Sequence, residues 1–97
     1  PGISMHDLDD GVTKVLEASE YKDFIVHKTG HGLGMDVHED PYVMRKNYEL
    51  LEKGMVITIE PGLYKDKHLG IRVEDDVLIT NEGCKSLTSF DRELRVI

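Results

Sequence analysis

One cysteine, Cys84, stands in the 97 residues, so no disulfide can close within the chain, and neither a CxxC redox pair nor a thiolate zinc cluster can be built. Nothing beside Cys84 would depress its pKa, and a buried structural thiol is expected there rather than a nucleophile. Positive charge is also scarce. Twelve Lys and Arg face nineteen Asp and Glu, a formal net charge of -7, and no Lys/Arg stripe of the kind a phosphate backbone requires is present. Nucleic acid is not an expected partner. Apolar runs last only a few residues, far short of the ~20 that cross a bilayer, and no charged-then-apolar leader precedes the first helix; a soluble, cytoplasmic protein with no membrane partner is expected. Two Phe and four Tyr are too scattered for a base-stacking platform.

With 39% hydrophobic content, the chain suits one small domain over residues 1–97. A domain of that size hides only roughly 60 to 68% of its unfolded surface, so support from more chain, a partner or a metal is anticipated. The opening Pro1-Gly2-Ile3-Ser4, with no initiator Met, reads as a start in mid-protein.

Leu8, Val12, Val15 and Leu16 share one helical face, which predicts a helix from about Ser4 to Glu20. Ser4 is placed to cap it, Asp7 to complete a short capping box and Ile3 to staple onto Leu8. Gly11 costs that helix ~1 kcal/mol relative to Ala. Asp7, Asp9 and Asp10 are expected to be surface charges that complement the helix dipole. Phe24-Ile25-Val26 is β-favouring. The alternate glycines Gly30, Gly32 and Gly34 predict a special backbone segment holding His31 where regular structure would not; the spacing is neither a P-loop nor a dinucleotide fingerprint.

Residues 36–53 read as connecting loop with at most one helical turn. Met55 to Glu60 predicts a strand ending at Pro61-Gly62. Ile71 to Thr80 alternates, with Ile71, Val73, Val77 and Ile79 on one face, and predicts a second strand; a short last strand is expected near Lys85 to Thr88. The fold class is α+β: a helix packed on a bent, mostly antiparallel sheet. His6 and His68 are expected at the surface, the four methionines as packing residues, and Tyr42 and Tyr48 as candidates for a pocket wall.

A hairpin around Leu63 to Leu69 brings Glu60 opposite Glu74, with Cβ atoms ~5 Å apart and like charges that repel. Either Arg72 and nearby lysines offset that repulsion at a wet surface, or a cation sits between the acids. His31 joins them as a nitrogen donor, and one imidazole with two carboxylates is a sensible set for Mn, Co, Zn or Fe. His27 and His38 flank it.

The segment His27-Lys28-Thr29-Gly30-His31-Gly32-Leu33-Gly34-Met35-Asp36-Val37-His38-Glu39-Asp40-Pro41 is similar to the HGTGHGIGLDVHExP signature of the Xaa-Pro peptidases. Gly54 to Tyr64 and Gly70 to Thr80 match two further blocks in the same order. The chain thus resembles the carboxyl-terminal part of a pita-bread metallopeptidase, an Xaa-Pro dipeptidase (prolidase) or Xaa-Pro aminopeptidase. The resemblance implies a curved antiparallel sheet flanked by helices, and two divalent metal ions, Mn first and Co, Zn or Fe as alternatives, bound by two aspartates, one histidine and two glutamates. By position His31, Glu60 and Glu74 match the histidine and the glutamates, with Glu74 bridging and Glu60 the proton acceptor. His38 matches a histidine that contacts the scissile peptide, His27 one that lines the substrate pocket, and Tyr64 and Arg72 match groups that orient a metal-binding aspartate. The implied substrate is a peptide with proline at its second position.

The family's two aspartates lie upstream of its histidine block, and nothing before His27 reproduces their context. An incomplete site follows, with the isolated chain expected to be inactive. Methionine aminopeptidase is the alternative within the fold, disfavoured by His27 and by Arg72-x-Glu74; a non-catalytic binding module is the alternative outside it. A severed sheet edge would invite pairing with another copy as a homodimer.

Overall fold

Ser4 caps the chain's helix as the sequence predicts. The computed structural model describes every residue except His27, so the expected pocket role of His27 lies outside the described residues. The Ser4 hydroxyl accepts from the Asp7 N–H at 3.0 Å and donates to the Asp7 carboxylate at 2.7 Å, and helix α1 runs Met5–Glu17. Two more orphan donors of the first turn, the N–H groups of Met5 and His6, go to the carbonyls of Glu49 and Asn47 at 2.9 and 2.7 Å. Residues 47–51 therefore strap the start of α1, and Leu51 N–H reaches the Ile3 carbonyl at 2.8 Å. His6 is only half-buried rather than exposed, because its Nδ1 accepts the Lys46 N–H at 3.2 Å and its ring meets Tyr48 at 5.0 Å. The inward face of α1 also differs from expectation. Met5 and Asp9 are buried, Leu8 packs on the core, and Val12 and Leu16 are half-buried, while Val15 is exposed.

The described residues form a five-stranded sheet in the order β2-β1-β3-β6-β7 and a two-stranded sheet of β4 and β5, every pairing antiparallel. The strands are β1 Gly30–Gly32, β2 Glu39–Val43, β3 Val56–Ile59, β4 Gly62–Lys65, β5 Leu69–Arg72, β6 Asp75–Ile79 and β7 Cys84–Ser86. Met5, Val43, Leu51, Ile57, Val77 and Ile79 make the core, each worth ~1.5–3 kcal/mol on burial. The expected helix on an antiparallel sheet is what forms.

Four local expectations fail for identifiable reasons. Phe24-Ile25-Val26 makes no strand; Lys22–Phe24 is a single 3-10 turn, in which the Phe24 N–H returns to the Tyr21 carbonyl at 3.0 Å instead of to a neighbouring strand. The glycine segment is not outside regular structure. It is strand β1, with a register shift between His31 and Gly32, and its glycines serve close packing: a Cβ on Gly30 would collide with the Thr58 carbonyl and one on Gly32 with the Asp40 carbonyl. Residues 36–53 hide β2, whose Pro41 is tolerated because β2 is an edge strand. Ile71 to Thr80 divides into β5 and β6, so Ile71 and Val73 leave the core. With Leu63, they border a cavity of 540 Å³ whose opposite wall is Leu16, Tyr21 and Phe24.

The core does not take in the side chains whose neighbours are turns. Cys84 is exposed on edge strand β7, correcting the expected buried thiol. Met35 and Met44 are exposed as well, and only Met5 and Met55 serve packing. Two glycine substitutions check this packing. Gly30→Ala is expected to cost at least ~3 kcal/mol, because backbone rather than a flexible side chain blocks the methyl. Gly11→Ala, with nothing within 4 Å of the added Cβ, is expected to stabilise by ~0.5–1 kcal/mol; urea denaturation of both variants measures the contrast.

Candidate metal site

β3 and β6 pair from Val56–Leu78 to Ile59–Asp75, and β4 and β5 resume the same register from Gly62–Arg72 to Lys65–Leu69. The two sheets are thus one long hairpin, joined through the Val73 N–H, which reaches the Pro61 carbonyl at 3.3 Å. The hairpin interrupts its ladder where Glu60 and Glu74 face each other across it. Pro61, which has no N–H to donate, follows Glu60 at that break. The expected opposition of the two acids is realised, by a bend in one hairpin.

Arg72 offsets their repulsion. Its Nε lies 3.6 Å from Glu60 Oε2 and 4.0 Å from Glu74 Oε2. The acids differ in setting: the Glu60 side chain is 12% exposed and that of Glu74 is 42% exposed, so the first is held and the second faces solvent.

His31 reaches Glu60 from β1. Its Nε2 lies 2.9 Å from Glu60 Oε1, and its Nδ1 lies 2.8 Å from the Gly32 carbonyl. A carbonyl can only accept, so Nδ1 carries a proton in this contact, and Nε2 is left facing Glu60, where a proton or a cation joins the two. The two groups share further partners. Thr58, buried opposite His31 on β3, accepts the His31 N–H on Oγ1 at 3.1 Å and donates to Glu60 Oε1 at 2.9 Å. The Glu60 N–H donates to the Thr29 carbonyl at 2.7 Å, and Asp9 accepts from both the N–H and the hydroxyl of Thr29, at 3.2 and 2.6 Å.

Asp9 and Thr58 are the residues that sequence reasoning missed. Asp9 is 5% exposed, contrary to its expected surface role, since α1 packs on β2 and turns that side onto Thr29, just before β1. Its position among the dipole-matching acids concealed it; four residues from Met5 and one from Leu8 on the inward stripe was the available signal. His38 is exposed, but its ring centroid lies 4.4 Å from that of His31, so the structure brings these two together. Tyr64 lies on β4 with its ring over Gly70. His68 is exposed in the hairpin tip, as expected, with Nδ1 2.6 Å from the Asp66 carbonyl.

Among the described residues, no group of three or more His, Cys, Asp or Glu side chains is gathered to hold a metal ion. His31 and Glu60 touch, whereas Glu74 reaches only as far as Arg72, so the expected three donors form a pair and an outlier. The chemistry of the pair nevertheless fits a borderline divalent ion: a ring nitrogen aimed at the carboxylate and oriented by a carbonyl on the far nitrogen, and a largely buried carboxylate. Their 2.9 Å separation is near the ~3 Å that separates neighbouring donors on one ion with bonds of ~2.1 Å. Two lone-pair atoms so placed require a proton or a cation.

Comparisons with known proteins agree with this chemistry. The Xaa-Pro dipeptidase of Pyrococcus furiosus is 44% identical over 94 residues, 97% of this chain and 27% of that protein. The crystal structure of the prolidase from Pyrococcus horikoshii superposes with a TM-score of 0.92 at 44% identity, over 98% of this chain and 27% of that one. That of the X-Pro aminopeptidase from Thermotoga maritima gives 0.92 at 35% identity, over 99% of this chain and 27% of that one. The chain therefore spans about a quarter of the length of the relatives it matches, and its sheet is part of the pita-bread fold. A model of the metallopeptidase family M24 matches residues 1–81, most of the chain and every one of the donors just described, and the protein accordingly belongs to that family, whose chemistry depends on divalent metal ions.

Proposed function

We propose that this chain, as the carboxyl-terminal portion of a pita-bread catalytic domain, supplies His31, Glu60 and Glu74 to a two-metal centre that hydrolyses peptide bonds next to proline. The observation that carries the reading is the buried contact of His31 Nε2 with Glu60 Oε1, in which Gly32 fixes the imidazole and Thr58 fixes the carboxylate. Peptides with proline at the second position are the substrate class, in keeping with relatives that are Xaa-Pro dipeptidases and aminopeptidases. When bound, divalent ions, manganese first and Co, Zn or Fe as alternatives, supply Lewis acidity and acidify a water toward neutral pH.

The chain's own residues divide the remaining work. Glu60 accepts the proton of the attacking water; it keeps Oε1 on Thr58 and His31 and turns Oε2 toward Arg72. His38, exposed beside His31, faces the scissile peptide and delivers a proton to it. Arg72 neutralises Glu60 and Glu74 and keeps the two acids from repelling one another. Two aspartates are still needed to complete the donor set, and the isolated chain is therefore inactive.

The test assays Xaa-Pro dipeptides and longer peptides with Mn or Co, using this chain and a form extended upstream. Hydrolysis is expected from the extended form alone, and Glu74→Ala in that form is expected to remove it by more than the ~100-fold that losing a residue supporting a ligand costs. Activity that survives Glu74→Ala ends the metal role of Glu74. A preference for bonds away from proline ends the substrate assignment.

A further inference from the structure

Thr58 is 1% exposed and sits at the centre of strand β3, where a residue whose only task was packing would gain nothing from a hydroxyl. Burying that hydroxyl is costly unless it is bonded, and both of its bonds go to the candidate site. Its oxygen accepts the backbone N–H of His31 at 3.1 Å, and its single proton goes to Glu60 Oε1 at 2.9 Å. The same Oε1 is the atom that meets His31 Nε2. One side chain thus touches the strand that carries the imidazole and the carboxylate the imidazole faces. Threonine is stiff about χ1 because its Cβ is branched, so its oxygen is a fixed point from which both distances are set. Gly30, packed so that an added Cβ would strike the Thr58 carbonyl, keeps β1 against β3 at that point.

From this geometry we infer that Thr58 is a positioning residue for the site, holding the Glu60 carboxylate at His31 Nε2 so that the two donors are aligned before any ion arrives. The inference rests on the metal-site reading above but makes a separate claim about the metal-free chain. Without the hydroxyl, Glu60 Oε1 loses a donor and the His31 N–H loses an acceptor, and the carboxylate is held only by the His31 ring on one side and Arg72 on the other. His31 Nδ1 keeps the Gly32 carbonyl, which does not depend on Thr58.

The metal-free test is a long-range proton–nitrogen NMR spectrum of the His31 ring in the 97-residue chain. Thr58→Val, nearly isosteric, is expected to move the Nε2 resonance and leave Nδ1 in place, and Thr58→Ser is expected to restore Nε2. A packing role would move neither nitrogen selectively, whatever it did to melting. Calorimetry of Mn binding to the upstream-extended form supplies the second readout, with affinity expected ~10-fold weaker in Thr58→Val and recovered in Thr58→Ser. If neither protein binds Mn, the metal-site reading fails while the Nε2 shift still decides the role of Thr58. An unchanged Nε2 resonance in Thr58→Val overturns the inference. Should Thr58→Val not fold, the unaltered chain answers instead: the Thr58 hydroxyl proton is expected to exchange slowly with water, and free exchange overturns the inference.

Discussion

Glu60→Gln is expected to lower Xaa-Pro hydrolysis in the upstream-extended form by ~10²–10⁴-fold, the usual weight of a placed proton acceptor, with a stability loss of only ~1–3 kcal/mol for the one buried partner left unpaired. The substitution keeps the shape of the side chain and puts one oxygen and one NH2 in place of its two oxygens. Thr58 Oγ1 and His31 Nε2 both meet Oε1, so at that position the amide presents either its oxygen to the hydroxyl or its NH2 to the ring, and one of the two contacts is lost. What disappears is the negative charge that takes the proton and helps to hold the ion. Turnover measured at saturating Mn, beside a thermal melt, separates the two effects. A variant with near-native turnover would remove Glu60 from the chemistry; a variant that simply melts would show that its charge serves Arg72 instead.

Asp9→Ala is expected to cost ~1–3 kcal/mol and to lower Tm by roughly 4–24 °C, at ~1–3 kcal/mol for a buried donor left unpaired and ~4–8 °C per kcal/mol for a domain of this size. The Thr29 hydroxyl ends on this carboxylate, while the Thr29 N–H is shared with the Val43 carbonyl at 3.1 Å and keeps that bond, and Arg45, 4.0 Å away, cannot replace the lost acceptor because it is itself a donor. Asp9→Asn retains an acceptor oxygen and should lose markedly less. The consequence extends past stability, since the Thr29 carbonyl holds the Glu60 N–H; loosening Thr29 from α1 slackens the backbone beneath the acid. A Tm within a degree or two of the parent for Asp9→Ala would mean that water replaces the carboxylate and that α1 is docked by Met5 and Leu8 alone.

Elements whose local chemistry and tertiary setting agree were legible in the sequence. Ser4 with Asp7 marked the start of α1, and the β-branched run before Pro61 marked β3. His31, Glu60 and Glu74 were singled out by residue type, by the glycines around the first and by the hairpin joining the others. What escaped depended on neighbours distant in the chain. Pro41 made β2 read as loop, and only its place at the edge of the sheet, beyond β1, makes that proline harmless. The alternation from Ile71 to Ile79 was genuine, yet the bend at Val73-Glu74 sends its two halves into different sheets. Asp9 read as one of three helix-start acids because sequence does not show that Thr29, twenty residues away, turns two donors toward it. Thr58 was an ordinary strand threonine until β1 came to lie beside it. The third donor was legible as a residue but not as a geometry, because the guanidinium of Arg72 stands between Glu74 and the pair.

The unbroken register of the long hairpin governs which changes of length the chain can accept. Strand side chains alternate between faces with a period of two, and Glu60 and Glu74 stay opposed only while the arms on either side of them keep equal counts. Residues added within the turn at 66–68, where Lys67 already adopts φ 58°, lengthen the tip and leave the acids aligned. A single residue inserted between Gly62 and Lys65, or deleted between Leu69 and Arg72, either slides one arm past the other or rotates Arg72 to the far face. Natural variation and loop grafting should therefore accumulate at the tip, while the two arms that lead to it remain fixed in length.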